Sequence, residues 1–359
     1  MKLKIFSDKA HLPEGMEHVT MLSPFWGKNP EDPQDPSSGR YDRYVESGRD
    51  FFAMPLTLAE ADLAVLPASW ERVCQDPRAR DLADSFIEQA RRTGKRLVVY
   101  YWSDAYDVVP IDNASIFRTS FHRSTRKPHE FAMPAWSEDP VEKYLDGQLP
   151  LRDKQENPVV GFCGYGRIRW DLKNILSWGA SRLGLKEKEA FAGHRLRARG
   201  LRLLANSPGI ETNFVIRDSF WGGALPPRAP LNISVMQQVR QEFVHNLVTS
   251  DYVLCVRGNG NFSYRLYETL SCGRIPVFID TDCVLPYDFA IDWKKFCVWV
   301  DRTEVSRIGE KVKEFHHKLS PQDFRDLQVS CRQFWEKWLS PEGFFHNFHR
   351  HFQPGEPER

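Results

Sequence analysis

The chain has 359 residues, and at roughly 150 residues per domain this gives about 2.4, so two sizeable folding units are expected. Lys and Arg total 49 against 48 Asp and Glu, a formal +1, which argues against a dedicated nucleic-acid binder built on surplus cations. With 41% hydrophobic and 27% charged residues the chain is not disordered, and its 24 Phe, 11 Tyr and 11 Trp supply core volume or flat platforms for sugars, bases and lipids.

Taken in order, Leu3–Phe6, Leu63–Leu66, Arg96–Trp102, Val159–Phe162, Asn213–Ile216, Tyr252–Val256, Ile275–Ile279 and Phe296–Val300 read as strands. Several are near-continuous apolar runs, as in parallel strands covered on both faces. Between them, 81–92 places Leu82, Phe86, Ile87 and Ala90 on one helical face, and 305–319 repeats the pattern with Val305, Ile308, Val312, Phe315 and Leu319. Strands alternating with helices predict an α/β protein with mostly parallel sheets. The turn-rich stretch 29–40 reads as a surface loop, and Glu46 and Asp50 read as loop residues before a strand. The polar stretch 147–158 marks a seam, so the expected units are 1–155, 156–335 and a closing helix over 336–359. N-cap serines followed by proline at Ser320 and Ser340 predict two terminal helices rich in Phe and Trp.

No apolar run approaches the roughly 20 residues of a membrane span, and the first residues turn polar too soon for a secretory leader. Seven cysteines without a CxxC pair are expected to be reduced and mostly buried. A cytoplasmic protein is the reading, with attachment at the inner membrane face left open by Arg195, Arg197, Arg199 and Arg202, which otherwise form a solvated helical face.

The stretch from Asp251 to Val300 is the most informative. A strand ends near Val256, a Gly/Asn loop follows (Arg257, Gly258, Asn259, Gly260, Asn261), and a helix begins near Ser263. Loops at strand carboxyl ends leading into helix N-termini bind anions, phosphate above all. Arg257 and Arg265 can add charge-assisted hydrogen bonds there, and Glu268 lies one turn beyond Arg265 on the same face. A capped helix with a surface Arg265–Glu268 pair is the plainer alternative. Gly161, Gly164 and Gly166, followed by Arg167 and Arg169, form a second strand-to-helix loop that can approach a ligand.

The series Arg257-Gly258, Ser263-Tyr-Arg265-Leu-Tyr-Glu268, Ile275-Pro276-Val277 and Asp292-Trp293 resembles the exostosin family of glycosyltransferases. Two departures stand out: Val256 where the family usually has Pro, and Arg274 after the Cys-Gly pair. The resemblance implies a GT-B architecture, with two Rossmann-like domains facing across a cleft and closed by C-terminal helices. It further implies an inverting, metal-independent transfer from a UDP-sugar to a glycan or lipid-linked glycan. Arg257 and Arg265 would then hold the diphosphate, Gly258 and Ser263 would shape its loop, Glu268 would bind ribose, and Arg167 or Arg169 would reach the donor. Exostosins of eukaryotes resemble this chain in the motif region but usually carry an N-terminal membrane helix, so a soluble enzyme is expected here.

Inversion needs a base for the acceptor hydroxyl, and the loop after Arg96–Trp102 offers Asp104 and, second, Asp107. Trp102, Tyr106 and Arg123 are the acceptor-side candidates, and Tyr165 and Trp170 are further stacking platforms. Arg118, His122, Arg126 and Lys127 form a basic stretch that meets an anionic acceptor or faces water. Two other readings stay open. Asp280 and Asp282 form a DxD that would carry a metal in a different transferase architecture, and the chain could be a non-catalytic glycan-binding partner. His346, His349 and His351 read as surface groups rather than a metal site, and no metal or cofactor is expected.

Overall fold

The computed structural model describes residues 2–166, 189–223 and 232–352. Arg167, Arg169 and Trp170 lie outside the described residues. Strands β1 (Leu3–Phe6), β2 (Phe52–Ala53), β3 (Leu63–Val65), β4 (Arg96–Tyr101), β5 (Ala114–Arg118) and β6 (Glu130–Ala132) form an all-parallel sheet ordered β2-β1-β3-β4-β5-β6. Strands β7 (Val159–Tyr165), β8 (Glu211–Arg217), β9 (Tyr252–Cys255), β10 (Ile275–Asp280) and β11 (Val298–Asp301) form a second parallel sheet, ordered β11-β10-β9-β7-β8. The fold is α/β with two all-parallel sheets, as expected of two Rossmann-like units.

Both sheets share one logic. The chain lays down an inner strand, steps once to one side, and then builds the rest on the other side. That reversal falls between β1 and β3 in the first sheet and between β7 and β9 in the second. Loops leaving the carboxyl ends of the strands diverge there, and the crevice they leave is where open α/β sheets bind ligands.

The helices that position the site are α1 (Asp42–Phe51), α2 (Pro77–Arg92), α3 (Glu189–Ala205), α4 (Ile233–Val248) and α5 (Tyr264–Ser271); α6 (Ile308–Lys318), α7 (Pro321–Phe334) and α8 (Pro341–His346) close the chain. Helix α2 begins where the Asp76 carboxylate accepts from the Arg78 and Ala79 amides, with Pro77 in its first turn. It starts earlier than its apolar stripe because the cap, not the stripe, sets the boundary. The period-2 alternation of β4 divides the first sheet's two cores. Leu97, Val99 and Tyr101 share a cluster with Phe86 of α2, while Val98 and Tyr100 face the opposite cluster. That second face is covered by the C-terminal aromatics: Phe345 stacks on Tyr44 at 4.1 Å between ring centroids, and Phe348 lies 4.7 Å from Phe117. The end of the chain therefore returns to the first sheet.

Several expectations are corrected. Strands β2, β5 and β6 lie beyond the sequence expectation, and β5 hides its signal by burying Ser115 and Arg118. Glu46 and Asp50 lie on helix α1 rather than a loop, because Tyr44 and Gly48 give that helix a buried face against Pro24. Arg118 is neither solvated nor free for an acceptor, since it is 3% exposed and donates to Glu130 at 2.9 Å. His346 and His349 are exposed, but His351 is buried among Phe117, Phe131 and Tyr287. Six of the seven cysteines are buried free thiols and Cys74 is exposed.

Candidate functional site

Strand β9 ends in a loop that runs 256–262 into helix α5, and β7 ends at Tyr165 beside it. Arg265, in the first turn of α5, reaches back to β7: its guanidinium donates to the Cys163 carbonyl at 2.8 Å and lies 4.2 Å from the Phe162 ring centroid. Gly164 makes room for it. That residue sits at φ +144°, and a Cβ there would lie 2.8 Å from the Arg265 guanidinium nitrogen. Arg257 opens the loop and donates to the Tyr106 hydroxyl at 2.5 Å and the Asn259 carbonyl at 2.8 Å.

A third arginine completes the group. Arg197 of α3, 7% exposed, donates to the Tyr165 carbonyl and to the Arg257 carbonyl, each at 3.0 Å, and so ties the two loop ends together. Burial, followed by the nearby charge of Arg265, pushes the Arg197 guanidinium down to about 9. Burial likewise lowers Arg265. His194, one turn before Arg197, is pushed down to about 4 by burial and then by Arg197 and Arg257, and is neutral near pH 7. Neither Arg197 nor Arg265 has a carboxylate partner among the described residues. Buried cations without counter-charges are costly, and an anion at this point would relieve them.

The remaining candidates divide into those the fold brings here and those it does not. A Cβ at Gly260 would lie 2.7 Å from the Asp104 carboxylate, so Asp104, which follows β4 of the first sheet, stands directly against the β9 loop of the second. Trp102 donates from its indole nitrogen to the Tyr264 hydroxyl at 3.2 Å, next to Arg265. Tyr106 meets Arg257. Asp107 is turned away, accepting from the Tyr101 hydroxyl at 3.2 Å on the face of β4 that packs toward α2. Ser263 precedes α5, and its hydroxyl caps no amide of that helix. Gly258 has open space where a side chain would be. Tyr165 enters through its backbone carbonyl, while its ring packs on His194.

Glu268 is 7% exposed, and one of its oxygens accepts from Arg240 at 2.6 Å; the same guanidinium donates to Glu138 at 2.5 Å. The surface Arg265–Glu268 pair is therefore not formed. Burial opposes the charge on Arg240, but Glu268 and Glu138 more than offset it and raise its pKa. Arg123 reaches across the seam between the sheets while its side chain stays half-exposed. It donates to both Asp280 oxygens, at 2.9 and 3.1 Å, and to the Cys283 carbonyl. Asp282 accepts from the Ser124 hydroxyl at 2.5 Å, and Arg126 donates to Asp288 at 2.6 Å. The DxD carboxylates are thus engaged across the seam. Among the described residues no three His, Cys, Asp or Glu side chains gather as metal ligands would.

Residues 228–315 match the Exostosin GT47 domain. That segment contains the β9 loop, helix α5, Arg257 and Arg265. Over this segment the chain is exostosin-like. Exostosin-1 of Drosophila melanogaster is 28% identical over 100 residues, covering 28% of this chain and 13% of that protein. The Exostosin-1 homolog of Caenorhabditis elegans is 29% identical over 100 residues, covering 28% and 25%. A probable glucuronosyltransferase of Oryza sativa subsp. japonica is 38% identical over 66 residues, covering 18% and 15%. The chain therefore spans a quarter or less of the length of these relatives. Among solved structures, a glycosyltransferase from Rickettsia africae aligns over 91% of this chain and 84% of its own, at 8% identity and a TM-score of 0.37. TarM aligns over 74% and 57% at 8% identity and a TM-score of 0.31.

Arg197 and Gly193 of α3 lie outside the exostosin-like segment, yet both touch it. A Cβ at Gly193 would lie 2.6 Å from the Gly258 carbonyl oxygen. Arg274, the departure noted in the sequence, is an internal clamp: it is fully buried, donates to Gln328 at 2.7 Å and to the Val248 carbonyl at 3.2 Å, and is pushed down to about 10 by burial.

Proposed function

We propose that the chain is an inverting glycosyltransferase that moves a sugar from a nucleotide diphosphate, UDP by preference, to a hydroxyl of a glycan or lipid-linked glycan. The observation that carries this reading is the arginine cluster at the β7/β9 reversal, inside or against the exostosin-like segment, with Arg197 and Arg265 unpaired by any described carboxylate. In this reading the units are 1–155 on the acceptor side, 156–335 on the donor side, and the closing segment 336–359.

The chemistry follows from charge. As the acceptor oxygen bonds to the anomeric carbon, the bond from that carbon to the diphosphate breaks and negative charge grows on the leaving oxygen. Fixed guanidiniums and the amides opening α5 stabilise that charge with little reorganisation, and no step requires a metal. Arg257 and Arg265 hold the diphosphate, Arg197 holds their loops, and Gly258 and Ser263 leave the approach open. Glu268, fixed by Arg240, faces the ribose. Asp104, directly against the β9 loop, takes the acceptor proton, while Asp107 is a weaker candidate because Tyr101 holds it.

Transfer from a panel of UDP-sugars, followed as UDP release, tests the reading. Asp104→Asn should lower kcat by about 10²–10⁴ while leaving UDP affinity intact. Absence of UDP binding by calorimetry rejects the donor site, and full activity of Asp104→Asn rejects the base.

A further inference from the structure

The first sheet has its own point of reversal, between β1 and β3, and a cavity of about 430 Å³ opens there. The segment after β1 contributes Glu17 to Thr20, the segment after β3 contributes Ser69, Glu71 and Arg72, and 28–41 covers it. Its inner wall is aromatic, with Tyr41, Tyr100, Trp102 and Trp136. None of the three clustered arginines lines it.

Arg40 is the singular group in this cavity. Its guanidinium carbon lies 4.9 Å from the Tyr41 ring centroid and 5.7 Å from that of Trp102. Its Nε is buried without a hydrogen-bond partner, and no described carboxylate pairs with it. Acids are near but mostly engaged. Glu31 is bound by Lys28 and the Gly39 amide, Asp32 by the Gln34 amide, Asp35 by Ser37, and Glu17 lies 3.8 Å from Arg72. A guanidinium resting on aromatic rings keeps its planar donor fork available, and that fork matches a carboxylate or phosphate. Trp102 joins this cavity to the arginine cluster, since the ring under Arg40 donates to Tyr264, the residue before Arg265.

We propose that this cavity is the acceptor site and that Arg40 selects an acceptor whose sugar carries an anionic group, either a carboxylate or a phosphate. The acceptor role rests on the transferase reading; the anion-binding role of Arg40 does not. Rim carboxylates such as Glu71 and Asp35 then restrict entry to ligands that deliver their charge to Arg40 rather than to the rim.

The test uses calorimetry on the full chain with methyl β-glucuronide, glucose 6-phosphate and methyl β-glucoside, each with and without saturating UDP to occupy the arginine cluster. At least one anionic probe should bind about tenfold or more tighter than the neutral glucoside. That margin should vanish in Arg40→Gln and survive in part in Arg40→Lys, with the thermal midpoint of each variant checked first. Preference for the glucuronide or for the phosphate separates a uronate from a phosphorylated acceptor. Equal binding of all three probes, no binding of any, or a margin that persists in Arg40→Gln overturns the proposal. Failure of UDP to bind, with the Arg40-dependent margin intact, would instead count against the donor reading alone.

Discussion

Replacing Arg265 with alanine separates a phosphate-binding arginine from a structural one. Among the described residues its guanidinium makes one hydrogen bond, to the Cys163 carbonyl, and two ring contacts, to Phe162 at 4.2 Å and, more weakly, to Phe243 at 5.8 Å. It has no carboxylate partner among the described residues, and burial already disfavours its charge. Its loss should therefore cost the unliganded fold only about 1–2 kcal/mol, the size of one neutral-acceptor bond and one close and one distant cation–π contact. Ligand binding should suffer far more. Two charge-assisted bonds to phosphate oxygens at about 1.5 kcal/mol each give about 3 kcal/mol, or roughly a 150-fold weaker Kd. At a UDP concentration about 1,000 times the native Kd, ligand stabilisation is about 4.1 kcal/mol, and a 150-fold loss leaves about 1.2 kcal/mol. A thermal-shift titration with UDP reads both quantities. A UDP-dependent shift equal to that of the native chain would refute the placement of phosphate at Arg265, whatever happens to activity.

Three further outcomes are expected. Gly193→Ala drives a Cβ to 2.6 Å from the Gly258 carbonyl oxygen, a backbone atom that cannot turn aside, so stability should fall by about 1–3 kcal/mol and UDP should bind less tightly. Gly200→Ala on the same helix meets only ordinary side-chain contacts from 3.4 Å outward and serves as the control in the same melts. A double-mutant cycle on Arg123→Ala and Asp280→Ala should return a coupling of about 1 kcal/mol or more in denaturant unfolding, and strictly additive effects would dissolve the seam contact. His351, pushed down to about 3 by burial in its aromatic cage, binds its proton more readily unfolded than folded. Its contribution is fully present above pH 6.5 and is lost as pH falls toward 3, at up to about 1.4 kcal/mol per pH unit; His351→Phe should flatten urea-measured stability over that window.

How legible this molecule is in its sequence depends on whether a residue's role is set by its neighbours along the chain. The inner strands β9 and β10 of the second sheet are readable because each is buried along its whole length and so is almost wholly apolar, whereas the edge strand β8 is partly exposed and mixes in polar residues. Strand β5, Ala-Ser-Ile-Phe-Arg, is not readable, because Arg118 is neutralised by Glu130 twelve residues away on the neighbouring strand. The Arg257 and Arg265 pair announced itself through a local motif. Arg197 did not, because it sat inside a run of arginines that looked uniformly solvated. Helical spacing held the missing signal. Arg195, Arg199 and Arg202 recur at four and three residues and share one face, with Arg199 and Arg202 exposed. Arg197 recurs instead with Leu201 and Leu204, which are 6% and 0% exposed, and so lies on the buried stripe. A membrane-facing patch of all four arginines is thereby reduced to three.

The two reversal points explain why one chain would place unpaired arginines in two separate locations. Each sheet offers a single crevice where its strand-end loops part, and in each the fold leaves a guanidinium without a described carboxylate: Arg265 and Arg197 at β7/β9, Arg40 at β1/β3. Between them stands the Trp102–Tyr264 hydrogen bond, one partner from each half. An anion bound at either end alters the charge felt by that pair, since Arg40 and Glu268 both act on the Tyr264 hydroxyl, whose pKa burial already raises. Removal of the bond by Tyr264→Phe keeps the ring and both arginines. If the halves are read as donor and acceptor sites, that variant should bind UDP and the Arg40-dependent probe with nearly native affinity, yet lose any enhancement of one by the other. An enhancement that survives intact would mean that the two crevices communicate by another route, or through the seam at Arg123 and Asp280.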